Sequence, residues 1–154
     1  MSLKLLANLF STAQGRAVMN DPEHAKALIS FCTHSFSSCN HKVTFHAALV
    51  LFNYLLTFEN TSRRPYVAVL GLALRAIVKV LSNGELVDKD TLVALLLCEC
   101  RILFKNHDMV QMVENAFKPI FKETHEKLKE RQGAVPEVLQ AIQDVIKMVD
   151  LEDK

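Results

Sequence analysis

The sequence predicts an all-α protein built as an array of packed helices, and three observations favour this fold class. Apolar residues recur with a helical period along most of the chain. Glycine and proline number four each in 154 residues, too few for the many turns of an all-β protein. Hydrophobic residues make up 50% of the chain and charged residues 23%, a balance typical of a folded domain with a sizeable core.

The first helices are predicted from capping signals and apolar stripes. A short helix covers 3–10 with Ser2 as its N-cap, and a turn at Gly15 leads into a second short helix. The pair Asp21 and Pro22 begins a third helix, because aspartate caps well and proline suits the first helical position. The apolar stripe of this third helix consists of Ala25, Leu28, Ile29 and Cys32.

Two long helices are predicted in the middle of the chain. The first follows the polar break at 37–40 and covers about 42–58; it is apolar nearly all round, so we expect it to pack between neighbours. After a loop at 60–65 the second long helix continues to about residue 81. It ends at 82–84, Ser-Asn-Gly, a typical helix terminator.

Capping and breaking residues also mark the later helices. Asp88 or Asp90 caps a helix that runs to about Lys105. The remaining boundaries are the polar stretch 106–108, Pro119 after a short helix ending near Phe117, and Gly133 with Pro136 before a last helix ending near Val149. We expect the final four residues to fray.

The spacing of the helices predicts how they pack. Their apolar centres recur roughly every forty residues or less, which is the range of Armadillo and HEAT units, although no strict sequence repeat is visible. Each helix pair carries too much apolar surface to stand alone, and stacking buries it. We therefore expect an Armadillo/HEAT-like helical solenoid, with 1–154 as a single domain.

Charge and cysteine content narrow the class of protein. The net charge is +1, so no global field attracts nucleic acid or an anionic membrane. The uncharged stretch 43–58 is too short to span a bilayer comfortably, and the N-terminus lacks the long apolar region of a signal peptide. The four cysteines lack the spacing of a disulfide framework. We expect an intracellular protein, cytoplasmic or nuclear, with reduced thiols and neither a nucleic-acid nor a membrane partner.

Motifs for catalysis and cofactor binding are absent from the sequence: it has no P-loop, G-x-G-x-x-G, G-x-S-x-G or H-E-x-x-H. A Cys–His pair could be drawn from Cys32 or Cys39 with His41 or His46, but any chain with four cysteines and six histidines permits such a pairing. Cys39, His41, His46 and His34 form a loose cluster without the second ligand pair typical of zinc. We expect no enzyme, no metal and no cofactor.

Two pairs of cations stand four residues apart on predicted helices, Arg75 with Lys79 and Arg101 with Lys105. Like charges at this spacing cost about a few tenths of a kcal/mol, so something usually offsets the repulsion. One interpretation is a basic stripe across adjacent helices that receives an acidic peptide or phosphate groups. The other is a pair of solvated faces near helix C-termini, where the macrodipole favours cations.

Two asparagines, Asn8 and Asn53, lie within apolar segments. A buried asparagine must find hydrogen-bond partners. Such a side chain either bonds a neighbouring loop or lines a groove in which asparagines bind the backbone of an extended peptide.

Three segments together resemble the PUL domain, an Armadillo-like domain of ubiquitin-pathway adaptors. The first, 3–19, contains LKLLANLF followed by QGRAVM; the second, 40–54, contains NHK, AAL and LFNY; the third opens at 90–95 with DTLVAL and continues as a long apolar helix. Their order and spacing agree over most of 3–106. PUL domains are usually longer, so the chain resembles the later portion of the array, either a short version or one truncated at its N-terminus.

The resemblance implies a function as well as a fold. PUL domains bind the acidic C-terminal tail of valosin-containing protein, an AAA+ ATPase, through basic residues in a concave groove. The family is also found fused to thioredoxin or deSUMOylating-peptidase domains. By resemblance, the chain is a non-catalytic binding module of the ubiquitin and AAA+ segregase system.

The same resemblance assigns candidate site residues. Lys4 stands where the family motif has an arginine, which removes the capacity for bidentate binding. A further family arginine has no counterpart here, because Val93 or a neighbour occupies its place. The implied peptide-binding residues are Lys4, Asn8, Lys42 and Asn53, with Arg75 and Arg101 as lesser candidates.

Another class of function stays open at this point. The chain could be a general helical scaffold whose apolar ends bind a partner helix or self-associate within a larger protein. The sequence leaves the oligomeric state open.

Overall fold

The computed structural model describes residues 3–17, 21–38, 40–58, 64–82, 88–104, 106–113, 117–132 and 135–149. Over these ranges the chain is helical and contains no strand, which confirms the all-α fold class. The α-helices are α1 (Leu3–Leu9), α2 (Ala13–Ala17), α3 (Pro22–Phe36), α4 (His41–Tyr54), α5 (Val67–Ser82), α6 (Lys89–Leu103), α7 (His107–Met112), α8 (Lys118–Gln132) and α9 (Pro136–Met148). Two 3-10 turns, Leu55–Phe58 and Arg64–Tyr66, lie between α4 and α5.

The helices stack in two layers. The front layer consists of α1, α4, α6 and α9, each packed against the next, and the back layer consists of α3, α5 and α8. Contacts between α3 and α4, α5 and α6, and α8 and α9 join the layers. The core lies between them and includes the fully buried side chains of Tyr54, Leu74 and Leu95. This arrangement of stacked pairs confirms the expected Armadillo-like array, in which each helix buries its apolar stripe against neighbours.

Three helices begin where a polar side chain caps them. The Oδ1 atom of Asp21 accepts a hydrogen bond from the Glu23 amide at 2.9 Å, and that of Asn40 accepts one from the Lys42 amide at 2.9 Å. Asp88, and not Asp90, caps α6, because its Oδ1 accepts the Thr91 amide at 3.2 Å. These bonds satisfy amides that have no partner within the helix.

Several predicted boundaries need correction. The long helix predicted over 42–58 is α-helical only to Tyr54 and then tightens into a 3-10 turn. The helix α6 ends at Leu103, and α7 already begins at His107, inside the stretch expected to separate two helices. Polar residues at helix starts resemble loop residues in sequence, which explains this error. The signals at Ser2, 18–20, 60–63, 83–84, Lys105, 133 and 150–154 lie outside the described residues.

Gly15 does not form the predicted turn. The turn lies at 10–12, and Gly15 is a buried residue within α2. Its backbone packs so closely on the end of α1 that a Cβ atom at this position would overlap the carbonyl oxygen of Leu9. The Gly15 amide donates to the hydroxyl of Thr12 at 3.0 Å. Glycine is therefore required here by close packing of two helices.

A buried polar pair connects the layers. His125 on α8 and Glu99 on α6 are both fully buried, and His125 Nε2 lies 3.0 Å from Glu99 Oε1. The other ring nitrogen of His125, Nδ1, donates to the Phe121 carbonyl at 2.7 Å. Burial alone lowers the pKa of His125, but the charge of Glu99 and the hydrogen bonds to Glu99 and Phe121 outweigh it, so that the pKa is raised.

Membrane-spanning segments are not found in the described part of the chain, where no helix combines the necessary length and apolar character.

Candidate peptide-binding face

The helices of the front layer carry most of the predicted site residues. Lys4 and Asn8 lie on α1, Lys42 and Asn53 on α4, and Arg101 on α6. Since α1 contacts α4 and α4 contacts α6, these five residues stand on three adjacent helices. The sixth candidate, Arg75, lies on α5 in the back layer. We call the exposed side of α1, α4, α6 and α9 the front face.

On α1, Lys4 and Asn8 are four residues apart and both exposed, so they share one side of the helix. Leu5, next to Lys4, is 59% exposed. The carbonyl of Asn8 accepts the Ser11 hydroxyl at 2.6 Å, which closes the end of the helix. The first helix therefore presents one cation, one amide and one apolar side chain to solvent.

Asn53 links α4 to α1. Its Nδ2 atom donates to the carbonyl of Ala7 at 2.9 Å, and the side chain is half-buried. Ala7 lies in the last turn of α1, where carbonyl groups lack partners within the helix. The sequence allowed two interpretations of Asn53. The structure contains the first, a hydrogen bond to a neighbouring segment, and the second, a contact with a peptide, remains a prediction.

Replacing Asn53 by alanine should lower the free energy of unfolding by about 1 kcal/mol, because one hydrogen bond across α1 and α4 is lost. Urea denaturation measures the change. Asn8→Ala is the matched control, since the Asn8 side chain is exposed and its removal should leave the midpoint nearly unchanged. Equal midpoints for Asn53→Ala and the unmodified chain would contradict the structural role of this bond.

Arg101 is held against α4 by two contacts. Its Nη1 atom donates to the Phe52 carbonyl at 3.0 Å, and its Cζ atom lies 3.7 Å from the centroid of the Phe52 ring. The carbonyl belongs to the last turn of α4, where a cation also meets the negative end of the macrodipole. The stacked ring adds a cation–π attraction. The guanidinium is thus held in place at the edge of a cavity.

Two cavities adjoin on the front face and share Leu97, which is 39% exposed. The Arg101 cavity, of about 320 Å³, is lined by Phe52, Leu97, Cys100, Arg101, Phe104 and Met148. The Phe45 cavity, of about 350 Å³, is lined by Phe45, Leu49, Lys89, Asp90, Val93, Ala94, Leu97 and Glu137. Together they form one largely apolar groove between α4, α6 and α9, which we call the front groove.

The apolar residues of the front groove were not predicted as site residues. Phe45, Leu49 and Phe52 lie on the side of α4 that its neighbours α1, α3 and α6 leave open. The sequence signal for this groove was that α4 is apolar nearly all round. Packing between neighbouring helices explains only some of these apolar residues, and the others line the groove. Periodicity cannot separate a half-exposed apolar side from a buried one.

Charges are unevenly distributed along the front groove. At the Phe45 cavity, Lys89 Nζ lies 3.0 Å from Glu137 Oε2, and Asp90 adds a second carboxylate. The exposed Asp144 of α9 accepts the Gln140 amide at 3.0 Å. Burial, then Glu99 and Asp144, raise the pKa of Cys100 to about 12. The Phe45 cavity therefore carries two carboxylates and one ammonium group. The Cys100 thiol of the Arg101 cavity stays protonated at neutral pH.

The structure separates the two arginines that an extended basic stripe would join. Arg75 is exposed on α5, with its Cζ atom 5.7 Å from the centroid of the Phe117 ring. Arg101 packs on α4 in the other layer. Lys105, the partner of Arg101 in the sequence pattern, lies outside the described residues. A peptide on the front groove would meet Arg101 and not Arg75.

Residues considered for catalysis or metal binding do not assemble into a site where the structure describes them. Burial raises the pKa of Cys32 to about 12, and His46 uses Nδ1 to bond the Lys42 carbonyl at 2.8 Å. Cys39, which belongs to both hypotheses, lies outside the described residues. Within the described ranges no group of three or more histidine, cysteine, aspartate or glutamate side chains could hold a metal ion.

A two-layer helical array with a largely apolar groove along one layer defines a class of protein-binding solenoid domains. Residues 1–146 match the model of the PUL domain family. The chain therefore belongs to the PUL domain family, whose members are protein-binding helical domains and not a known catalytic family. Neither a curated protein nor a solved structure was found to match the chain.

Proposed function

We propose that this PUL domain is a non-catalytic adaptor module of the ubiquitin and AAA+ segregase system, and that it binds the acidic C-terminal tail of valosin-containing protein. One observation carries the proposal. Five of the six residues implied by the family resemblance, namely Lys4, Asn8, Lys42, Asn53 and Arg101, lie on three adjacent helices of the front layer. We further propose that residues 1–154 act as one domain of an intracellular protein.

The contacts of Arg101 support a role in binding a carboxylate. Because the Phe52 ring and carbonyl already orient the guanidinium, little side-chain entropy is lost when an anion binds. The apolar lining of the Arg101 cavity also lowers the local dielectric, which strengthens a charge-assisted hydrogen bond.

Lys4 and Asn8 would extend the site along α1. The exposed lysine attracts an acidic segment through charge, and the exposed amide can both donate to and accept from a peptide backbone. The carboxylates of α9 repel an acidic tail, so the proposed path runs over α1, α4 and the Arg101 cavity. It avoids the carboxylates of Asp90 and Glu137 at the Phe45 cavity.

Lys4→Glu is expected to abolish binding of the tail without unfolding the domain, because a carboxylate then faces an acidic ligand. The measurement is a titration of the chain with a labelled tail peptide, in parallel with a charge-scrambled peptide. Lys129→Glu makes the same charge change at an exposed position of α8 in the back layer. This control should bind the tail with unchanged affinity.

The outcomes separate the proposed function from its alternative. Selective, saturable binding supports the adaptor function, and unchanged affinity of Lys4→Glu removes Lys4 from the site. Failure of a folded, monodisperse chain to bind would favour a general helical scaffold. That alternative has one observation in its favour, since Leu5, Leu72 and Ile120 are each more than half exposed. A mass that rises with concentration would indicate self-association through such side chains.

A further inference from the structure

The Phe45 cavity has no role in the proposed binding of an acidic tail. It lies at the start of α6 and α9, and among the residues that the structure describes it shares Leu97 alone with the Arg101 cavity. Its walls are the apolar side chains of Phe45, Leu49 and Val93. A cavity of about 350 Å³ can take one bulky apolar side chain of a ligand.

The charges at this cavity are opposite to those expected around an acidic ligand. Two carboxylates, Asp90 and Glu137, line it, and Lys89, the one cation among its described lining residues, lies 3.0 Å from Glu137. Asp90 is exposed, and the described residues form no salt bridge with it. This end of the groove therefore favours a positively charged ligand group.

From this charge complementarity we infer that the front groove has a second subsite, which binds a peptide segment with a bulky apolar side chain next to lysine or arginine. The apolar side chain occupies the Phe45 cavity. The cation lies against Asp90 and Glu137, where it competes with Lys89 for the Glu137 carboxylate. This occupant differs from an acidic tail both in charge and in the helices it contacts.

The Lys89–Glu137 pair fits such an exchange. Both side chains are more than half exposed, and exposed ion pairs contribute little to stability. Opening the pair therefore costs little, and the incoming cation restores the interaction with Glu137. The net gain comes from burial of the apolar side chain and from Asp90.

Three fluorescein-labelled synthetic peptides test the inference. Each has a four-residue centre in a glycine-serine background: Leu-Phe-Lys-Lys, Leu-Phe-Glu-Glu or Ser-Ser-Lys-Lys. The first should bind at least about tenfold more tightly than either of the others, because only it offers both the apolar group and the cation. Fluorescence polarisation with the full chain measures the three affinities at low and high salt.

Paired variants locate the binding. The double variant Asp90→Asn, Glu137→Gln should weaken binding of the Leu-Phe-Lys-Lys peptide about fivefold or more, because it removes both carboxylates and leaves the Lys89 ammonium beside the cation of the peptide. Arg101→Gln, at the neighbouring cavity, should leave the affinity for this peptide unchanged or raise it. For an acidic tail we expect the reverse: Arg101→Gln should weaken binding, and the carboxylate variant should leave binding unchanged or strengthen it. Failure of this inference is therefore distinguishable from failure of the proposed function.

Several results would overturn the second subsite. The first is a lack of saturable binding of the Leu-Phe-Lys-Lys peptide. The second is equal affinity for all three peptides, or higher affinity for the glutamate peptide. The third is that Arg101→Gln weakens binding of the Leu-Phe-Lys-Lys peptide while the carboxylate variant does not. A dimer that forms at the working concentration and abolishes binding of the peptide would show instead that a second copy covers the groove.

Discussion

Replacing His125 by alanine is expected to lower the free energy of unfolding by about 3–5 kcal/mol below about pH 6.5, where His125 is protonated and its removal breaks a buried ion pair. The substitution leaves Glu99 fully buried without its partner. The other carboxylate oxygen, Oε2, accepts no hydrogen bond from the described residues, so removing His125 leaves a buried carboxyl group that these residues do not compensate. Urea denaturation followed by circular dichroism measures the loss.

A double variant separates the loss of the pair from the loss of packing. In His125→Leu, Glu99→Met both polar groups are replaced by apolar side chains, and most of the stability should return because no charge stays buried. His125→Leu alone keeps an apolar side chain in place of the imidazole but leaves Glu99 without its partner. A double variant as unstable as His125→Leu would show that the pair itself is not the cause.

The same pair predicts a dependence of stability on pH. The folded-state pKa of His125 is raised above its ordinary value of about 6.5, so the native state holds its proton more tightly than the unfolded state. This contribution to stability is fully present below about pH 6.5 and is lost as the pH rises through the raised pKa. In the double variant His125→Leu, Glu99→Met this decline of stability with rising pH should disappear. If the decline persisted, another titrating group would be its cause.

Gly15→Ala is expected to destabilise the chain by about 1–3 kcal/mol, the range found for overpacked sites. In most helices this substitution stabilises, by up to about 1 kcal/mol. Here the added Cβ overlaps the carbonyl oxygen of Leu9, so α2 must move away from α1. Thermal and urea denaturation give the sign of the change.

Gln14→Ala is the control for Gly15→Ala. Gln14 is exposed on the same short helix, and its replacement should change stability by no more than about 0.5 kcal/mol. A stabilising Gly15→Ala would mean that the two short helices do not approach as closely as described. The measurement therefore tests the geometry of the α1–α2 junction.

The starts of α3, α4 and α6 were accessible from the sequence because caps act over two or three residues. Asp21 and Asn40 bond amides two positions ahead, and Asp88 bonds one three positions ahead. Such signals are local, and the residues that produce them are adjacent in the chain. The shortening of the long middle helix was not accessible, since its last turn tightens without any proline or glycine to mark it.

The candidate site likewise has a part that the sequence predicted and a part that it did not. Family resemblance selected Lys4, Asn8, Lys42 and Asn53 from short motifs, and the structure places them on two adjacent helices. The apolar walls of the front groove went unpredicted, because an apolar side chain at a groove and one in the core follow the same helical period.

The sequence by itself determined the fold class, most helices and the family, because periodicity, caps and motifs are properties of neighbouring residues. Only the tertiary structure decided which residues meet across long separations in the chain. Asn53 bonds Ala7, Arg101 stacks on Phe52, and His125 pairs with Glu99. These contacts depend on which helices pack side by side and in what register, and no local signal specifies that choice.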